Sequence, residues 1–531
     1  MALDMVIRGG TVFDGSERPP VAMDVGISGG RIVALGKIET EAQLSLDASG
    51  LAVAPGFIDI HSHSDYTLLV DPRAVSAIAQ GVTTEVIGNC GFGCAPVGDP
   101  KLAQMAIYGF DGSVAIRWRR VGEYLDKLAS VSPAVNVMTL VPNGQLRLQA
   151  VGLAERAARG KEIGVMRDRL REGMDEGAVG YSVGLEYPTE IGAGNQELVA
   201  LASEAGRMDG IFAVHTRNRA KGAPAAVSEA IQIARDAQVR LQVSHLIPRS
   251  GDIEAQACLE LVEAARNESL PIAFDMHTRR YGTTMLSTLL PPWALESGPD
   301  GLRKHLESRS SRERMKRFRS LIGSLGDWEK VQLLDIPGRA DISRLTLAEI
   351  GRRRGRDPRD CALDILLEEA EHIHRPMVIL HVNSECSQKL AFAHPLCVPG
   401  SDATTLAPDG RLAGNMFHGA YTWAAWYWRA LVREWKLLKP EQAVNRLTSR
   451  PASIIGIKDR GHIGRGAYAD IAVFDPQTFG ERGTTFEPNK LAQGMRHVVV
   501  NGVVTLKDGI RTGARNGSVL RRSDARHAAV M

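Results

Sequence analysis

The sequence predicts an α/β protein: a (β/α)8 barrel of the TIM type joined to a small β-sandwich domain. Three observations lead to this prediction. The chain has 531 residues, 44% of them hydrophobic, so it can bury a large core. Its middle part alternates apolar, strand-like segments with helix-like segments, which is typical of a parallel sheet with crossover helices. Its two ends carry short alternating segments between glycine-rich turns, as in antiparallel sheets.

The two ends of the chain are predicted to form one small domain. Residues 5–12 and 31–36 alternate apolar and polar side chains between turns, and the same pattern returns at 497–504. Alternation of this kind indicates strands with one buried face. We therefore expect residues 1–55 and 456–531 to build the β-sandwich together.

The barrel is expected from residues 56–455. Eight strand–helix units are the number that such a barrel requires. Their predicted strands lie at 57–60, 83–87, 135–140, 178–183, 211–214, 240–244, 271–275 and 396–400. An insertion at about 280–395 is too long for an ordinary connection, and we expect it to form a lid over the active site. Two of its histidines, His374 and His381, are expected to be structural or exposed.

Composition argues against several classes of function. Sixty-four basic and 61 acidic residues give a net charge of +3, too balanced to indicate a nucleic-acid or membrane surface. A basic run at 309–319 has Met315, Phe318 and Ile322 at helical spacing, which favours a surface helix. No run of about 18 apolar residues occurs, so we predict no membrane span. Six scattered cysteines favour a reducing compartment, and we predict the cytoplasm.

Residues that can bind metal fall where the predicted barrel strands end. His61 and His63 follow the first strand, and residues two apart on a strand point to one face. The second, fifth, sixth and eighth strands are each followed by or end in one such residue. The complete set is His61, His63, Cys90, His215, His245 and Asp402. Because barrel active sites lie at the carboxyl ends of the strands, this pattern predicts a metal site.

These residues, with several longer motifs, make the sequence resemble the N-acyl-D-amino-acid deacylase (D-aminoacylase) branch of the amidohydrolase superfamily. The motifs are Gly-Gly-Thr-Val-Phe-Asp-Gly at 9–15, Pro-Gly-Phe-Ile-Asp-Ile-His-Ser-His at 55–63 and Ala-Asp-Ile-Ala-Val-Phe-Asp-Pro at 469–476. The most specific one is Gly-Asn-Cys-Gly at 88–91. Many amidohydrolases bridge two metals with a carboxylated lysine on the fourth strand, but residues 177–187 contain no lysine. The resemblance implies that Cys90 takes the bridging position.

The resemblance also implies a zinc site. It implies one tightly bound Zn²⁺ on three ligands: Cys90, His215 and His245. It implies a second, weaker position framed by three more: His61, His63 and Asp402. Thiolate and imidazole ligands favour Zn²⁺ over Mg²⁺ or Ca²⁺, and zinc lowers the pKa of bound water from about 15.7 to about 7. Asp402 is expected to take that proton and to pass it to the leaving nitrogen. The other nearby thiol, Cys94, is expected to be a small buried hydrophobe.

The expected substrate contacts match the family in part. Tyr187 and Arg411 stand where the family has a pocket tyrosine and an arginine after the strand-eight aspartate. The family's lysine after the strand-six histidine is Ile247 here, and its Tyr-Pro-Tyr segment is His277-Thr278-Arg279. We expect Arg279 to replace the positive charge lost at Ile247, and His277 to face the pocket.

We therefore predict zinc-dependent hydrolysis of an N-acyl amide bond, with an N-acyl-D-amino acid as substrate. Two alternatives stay open: hydrolysis of another linear or cyclic amide that lacks the free carboxylate, and a non-catalytic scaffold of the same fold. The predicted partner is a small-molecule amide, with neither nucleic acid nor membrane, and a homo-oligomer is compatible with the sequence. In an aromatic helix predicted at 417–428, Trp423, Trp426 and Tyr427 are candidates for an apolar acyl pocket or a subunit contact.

Overall fold

The elements below come from a computed structural model that describes residues 3–296, 298–373 and 375–522. The strands are β1 (Leu3–Val12), β2 (Val21–Ser28), β3 (Arg31–Gly36), β4 (Ala42–Asp47), β5 (Ala52–Pro55), β6 (Phe57–Asp59), β7 (Val82–Ile87), β8 (Asn136–Thr139), β9 (Val141–Pro142), β10 (Gly180–Gly184), β11 (Ile211–His215), β12 (Arg240–Val243), β13 (Ile272–His277), β14 (Gly282–Met285), β15 (Val331–Leu333), β16 (Met377–Leu380), β17 (Cys397–Gly400), β18 (Ile471–Phe474), β19 (Met495–Val500), β20 (Val503–Lys507) and β21 (Ile510–Arg511). The α-helices are α1 (Thr67–Val70), α2 (Val75–Ile78), α3 (Pro100–Ala103), α4 (Val121–Ser130), α5 (Asn143–Ala150), α6 (Gly160–Asp175), α7 (Asn195–Arg207), α8 (Ala223–Ala237), α9 (Asp252–Asn267), α10 (Pro292–Leu295), α11 (Gly298–Glu307), α12 (Arg309–Lys316), α13 (Leu347–Arg354), α14 (Pro358–Glu368), α15 (Glu385–Ala393), α16 (His418–Trp428), α17 (Pro440–Leu447) and α18 (Ser449–Ile455).

Strands from both ends of the chain share one nine-stranded sheet. Its order is β21–β20–β19–β18–β5–β1–β2–β3, with β4 paired to β1. The two ends meet where β5 and β18 pair in antiparallel register, with Val53 opposite Val473. Both of these valines are fully buried in an apolar cluster with Ile7 and Val25, so the sheet is stabilised by packing across that junction. The domain boundaries at residues 55 and 456 stay a prediction, and residues 1–2 and 523–531 lie outside the described part of the chain.

All eight predicted barrel strands are confirmed. Neighbouring strands run parallel in two arcs, β6–β7–β8 and β9–β10–β11–β12–β13–β17. The strands are buried on both faces, which is why their sequences are nearly continuous apolar runs. Outside them lie amphipathic helices such as α8, whose buried residues Val227, Ile231 and Ala234 recur every three or four positions.

Two local features close the arcs into a barrel. The predicted third strand is split into β8, which pairs with β7, and β9, which pairs with β10, and only Leu140 separates them. At the other side, Ser62 and Ala403 form a parallel bridge between the ends of β6 and β17. The His61 carbonyl accepts a hydrogen bond of 2.8 Å from the Asp402 amide. The first and last strands therefore hold two predicted ligands side by side.

The insertion between β13 and α15 has its own core. Its strands form an antiparallel sheet in the order β14–β16–β15. Leu306, Met315, Ile350 and Leu366 belong to a separate buried cluster beneath the helices α11 to α14. The basic run forms α12, which buries Met315 as predicted, but the helix ends at Lys316, before Phe318 and Ile322 are reached. The barrel pattern resumes with α15, which packs against α9.

Further predictions concern the aromatic helix α16, two histidines of the insertion and membrane-spanning helices. Trp423 and Tyr427 of α16 are buried in the main core, so they form neither the acyl pocket nor a subunit contact, and Trp426 packs against the same core. His381 is exposed, whereas His374 lies outside the described residues. Among the described residues, no helix is both long and apolar enough to cross a bilayer.

A buried ion pair between α5 and α7 gives a test of the fold. Arg147 Nη1 donates to both Glu197 carboxylate oxygens, at 2.7 and 2.6 Å, and the side chains are 1% and 0% exposed. Glu197→Ala should lower the free energy of unfolding by about 3–5 kcal/mol, because it leaves a buried guanidinium unpaired. Denaturant-induced unfolding measures this loss. The control is Glu172→Ala, which breaks a half-exposed pair with Arg169 and should change little. Equal losses in the two variants would contradict the prediction.

Candidate metal centre and active site

The six predicted ligands lie together at the carboxyl ends of the barrel strands. His61 and His63 follow β6, Cys90 follows β7, His215 ends β11, His245 follows β12 and Asp402 follows β17. They form two groups that share Cys90: His61, His63, Cys90 and Asp402, and Cys90, His215 and His245. Within each group, one donor atom of every residue lies within 4.8 Å of the others.

The Cys90 sulfur lies between the two groups. Its distance to His61 Nε2 is 3.2 Å and its distance to His245 Nε2 is 3.6 Å. Asp402 Oδ1 lies 3.5 Å from His61 Nε2 and 3.3 Å from His63 Nε2. Cys90 thus belongs to both donor groups, and its bridging role stays a prediction.

A tight turn after β7 aims the thiol into the barrel. Gly88 and Cys90 have positive φ values of 80° and 52°. A side chain at Gly88 would place its Cβ 2.4 Å from the Leu140 carbonyl oxygen, so glycine is required there. The Ser182 hydroxyl from β10 accepts a hydrogen bond of 3.2 Å from the Gly91 amide and donates to the Gly88 carbonyl.

Asp275 on β13 orients two of the histidines, although the sequence did not indicate it as a site residue. Its Oδ1 lies 3.0 Å from His61 Nδ1 and accepts a hydrogen bond of 2.8 Å from the His245 amide. Gln242 donates to its second oxygen at 2.9 Å. With its Nδ1 proton held by Asp275, His61 turns the Nε2 lone pair toward the sulfur and Asp402.

Glu186 holds His215 in the same way, and it was also missed. Its Oε2 lies 2.9 Å from His215 Nε2. This contact leaves His215 Nδ1 for another partner. The only sequence signal for either carboxylate was an acidic residue at or just after the end of a barrel strand.

The protonation states suit a metal-binding site. Burial alone would raise the pKa of the Cys90 thiol, but electrostatic interaction with His61 and hydrogen bonds from His215 and His245 hold it well below its usual value, so the thiolate is favoured. Burial would also raise the pKa of Asp402, whereas a hydrogen bond from His63 and the neighbouring imidazoles lower it. Burial and the Arg219 cation lower the pKa of His245 to about 4, which keeps this imidazole neutral.

The residues present fit a bound metal ion. Among the predicted ligands, His215 keeps one buried ring nitrogen, Nδ1, without a hydrogen-bond partner within the described structure, while its Nε2 is held by Glu186. Buried polar atoms are rarely left unpaired unless a ligand, ion or water satisfies them. A thiolate with imidazoles and one carboxylate is the donor set that zinc prefers.

Two of the four predicted substrate residues lie in the pocket beside this cluster. The Tyr187 ring packs 4.8 Å from the His215 ring, and His277 lines the opposite wall formed by β13. Burial and nearby Arg279 lower the pKa of His277 well below its usual value, so it is neutral.

The two predicted arginines lie elsewhere. Arg279 has a fully buried side chain that donates to the Ser401 carbonyl at 2.6 Å and to Asp402 Oδ2 at 3.3 Å. It positions Asp402 and does not line the pocket, because those contacts turn it away. Arg411 is exposed and is not among the residues that line this pocket, and the chain passes through five buried residues, 403–407, between Asp402 and this position. The short distance in sequence between Asp402 and Arg411 therefore did not predict where the Arg411 side chain lies.

The pocket contains residues that sequence reasoning missed. Tyr108 stacks on His63 with ring centroids 5.1 Å apart. Arg219 and Arg249 line the wall near His215 and His245. The insertion contributes the remaining side, with Gly282, Thr283, Thr284, Leu321 and Leu380.

A parallel barrel with this donor cluster at its strand ends defines a barrel enzyme with a metal centre. The amidohydrolase family model matches residues 45–307 and 389–506, and the chain belongs to this family. The D-aminoacylase of Alcaligenes xylosoxydans xylosoxydans is 31% identical over 530 residues, which cover 98% of each chain.

Two solved structures resemble the whole chain. An N-acyl-D-glutamate deacylase from Bordetella bronchiseptica, complexed with zinc and a phosphonate mimic of the tetrahedral intermediate, is 30% identical with a TM-score of 0.80. The alignment covers 98% of this chain and 100% of that one. A D-aminoacylase with a binuclear metal centre is 27% identical with a TM-score of 0.82, again over 98% and 100% of the chains. The resemblance inferred from the motifs is thus confirmed.

Cys90→Ala should remove the tightly bound metal, because both donor groups lose their shared thiolate. Metal analysis after dialysis measures the effect. Cys94→Ala is the matched control, since this thiol is buried in the main core and should leave the metal content unchanged. Metal retained at the wild-type ratio in Cys90→Ala would show that the cysteine is not a ligand.

Asp275→Asn should lower zinc affinity by about 10- to 100-fold, because the amide no longer fixes His61 with Nδ1 as the donor. Competition with a chromogenic chelator gives the affinity. Asp236→Asn, the same change on the exposed face of α8, is the control. The role of Asp275 would be rejected if both variants bound zinc equally well.

Proposed function

We propose that this protein is a zinc-dependent amidohydrolase that cleaves the N-acyl amide bond of an N-acyl-D-amino acid. The observation that carries the proposal is the convergence of one cysteine, four histidines and one aspartate at the barrel mouth. Its whole-chain relatives, a D-aminoacylase and a zinc-complexed N-acyl-D-glutamate deacylase, support it.

The proposed tight zinc position uses Cys90, His215 and His245. The second, weaker position would share Cys90 with His61, His63 and Asp402. This division is supported by the two overlapping groups and by the binuclear centre of the related D-aminoacylase. Zinc, when bound, supplies a Lewis acid for the amide carbonyl and makes hydroxide available at neutral pH.

Asp402 is the proposed proton carrier. Its lowered pKa means that it is ionised at neutral pH and can accept the proton of the attacking water. Arg279 and His63, each 3.3 Å from a carboxylate oxygen, fix its orientation. The same group can then deliver the proton to the leaving nitrogen, so that acid and base roles fall on one residue.

The pocket walls support a small amide substrate. Phe92, Tyr108 and Tyr187 form an aromatic side, with Phe92 and Tyr187 ring centroids 4.6 Å apart. The insertion, for which we propose the lid role, narrows the other side and can exclude water. Neutral His277 is placed to hydrogen-bond the substrate rather than to bind metal.

An amide without a carboxylate is a second candidate, because Ile247 lacks the family's charge and Arg411 lies outside the pocket. The complete donor set argues against a non-catalytic scaffold. All six cysteines are free, which supports the proposed cytoplasmic location. Turnover of N-acetyl-D-amino acids, their L-enantiomers and their carboxamides by the zinc-loaded protein tests the assignment. Failure to release any free amino acid or amine would reject it.

Asp402→Asn should lower kcat by about 10²- to 10⁴-fold, as expected for a lost acid–base group. Steady-state kinetics on the best substrate and metal analysis on the same sample separate this effect from loss of zinc. Asp409→Asn is the control, because this aspartate is exposed in the same loop and pairs with Arg73. Near-normal activity of Asp402→Asn would assign the proton transfer to another group, with His277 the first to test.

A further inference from the structure

Two buried arginines form part of the pocket wall. Arg219 follows β11 and Arg249 follows β12, and their residues are 8% and 9% exposed. Both line the same pocket as His215, His245 and Asp402. Arginine is rarely buried without a partner of opposite charge, so each of these two guanidiniums requires an anionic group nearby.

One carboxylate contacts the pair. Glu186 Oε1 accepts a hydrogen bond of 3.1 Å from Arg249 Nη1, and Glu186 Oε2 accepts one from Arg249 Nη2. Arg219 gives Glu186 only its backbone amide, at 2.9 Å. Its guanidinium donates to the carbonyls of His245 and Ile247 and, among the described residues, makes no ion pair. Of the two guanidiniums, only that of Arg249 is paired with a carboxylate, so the positive charge of Arg219 is in excess among the described residues.

The nearest other acidic group does not remove this excess. Asp402 already lies 3.3 Å from the Arg279 guanidinium and 3.3 Å from His63. An anionic ligand group would balance the charge, and a guanidinium binds a carboxylate through two parallel hydrogen bonds.

The backbone holds the two side chains in place. The Arg249 amide donates to the Arg219 carbonyl at 2.6 Å, which ties the two loops together. The Ile247 carbonyl, 3.0 Å from Arg219 Nη2, orients the guanidinium. The position that lost the family's lysine side chain thus supports an arginine from the neighbouring loop. Fixed donors lose little entropy when they bind a ligand.

We propose that Arg219 and Arg249 form the subsite for the free carboxylate of the substrate. This inference rests on the proposed function, because it assigns the charged end of the same N-acyl amino acid. Arg219 and Arg249 thus take the place of Arg411 and Arg279, the two arginines that the sequence suggested for binding the carboxylate. It also decides between the two candidate substrate classes in favour of the acid.

The test compares a carboxylate with its uncharged isostere. N-acetyl-D-leucine and N-acetyl-D-leucinamide are used as probes of the zinc-loaded enzyme. Arg249→Met and Arg219→Met should each raise KM for the acid by about 10- to 150-fold, the loss of one charged hydrogen-bonding partner. KM for the amide should change far less. Arg249→Lys and Arg219→Lys keep the charge without the planar fork and should give intermediate values.

Arg235→Met is the matched control. This arginine lies on the outer side of α8, pairs with Glu268 and should leave both KM values unchanged. Zinc content and thermal unfolding show whether each variant is folded. If the methionine variants do not fold, the KM values for acid and amide are compared in the lysine variants.

Binding separates this inference from the proposed function. Calorimetry on zinc-loaded Asp402→Asn, which turns over slowly, measures affinity for both probes even if neither is a substrate of the wild type. Preference for the acid that is lost in the Arg219 and Arg249 variants supports the subsite. Equal affinity for acid and amide, or a preference for the acid that survives both arginine substitutions, overturns it.

Discussion

The position of one sulfur atom constrains the whole site. Cys90 belongs to both donor groups, so a displacement of its loop would disturb both at once. Two of the first three residues of the loop, Gly88 and Cys90, have left-handed backbone conformations, and position 88 requires glycine because a Cβ there would lie 2.4 Å from the Leu140 carbonyl oxygen. Strand β10 then holds this loop. The Ser182 hydroxyl accepts a hydrogen bond from the Gly91 amide and donates one to the Gly88 carbonyl. On the same strand, the Gly184 amide donates a hydrogen bond of 3.0 Å to Glu190. The chemistry therefore depends on backbone packing at the barrel mouth.

Burial of charged groups explains the arrangement around the sulfur. The cluster lies in the barrel mouth, where an unpaired charge would cost several kcal/mol. Three of the six ligands accordingly have an outer partner of complementary character: Asp275 for His61, Glu186 for His215, and Arg279 for Asp402. These contacts fix which ring nitrogen or carboxylate oxygen points inward. Because Arg279 pairs with Asp402, it contributes no free positive charge to the pocket.

The barrel and the insertion contribute different parts of the site. The barrel supplies the donor cluster, whereas Thr283, Thr284, Leu321 and Leu380 come from the insertion and shape the remaining wall of the pocket. Most buried residues of the insertion form one hydrophobic cluster, which also includes Ala106, Leu148 and Leu153 from outside the insertion. Substrate preference in such folds is carried by the loops, while the chemistry stays with the strand ends.

The barrel strands, the pairing of the chain ends in one sheet and the six residues of the donor cluster could all be predicted from the sequence alone. This was possible because strand periodicity and strand-end position are local, and parallel strands necessarily bring their carboxyl ends to one face. Only the tertiary structure decided which charged side chains reach the pocket. Arg411 follows Asp402 closely in sequence yet is exposed, whereas Arg219 and Arg249 come from separate loops and meet at Glu186. Loop paths and buried charge pairs depend on contacts between distant segments, and no local pattern encodes them.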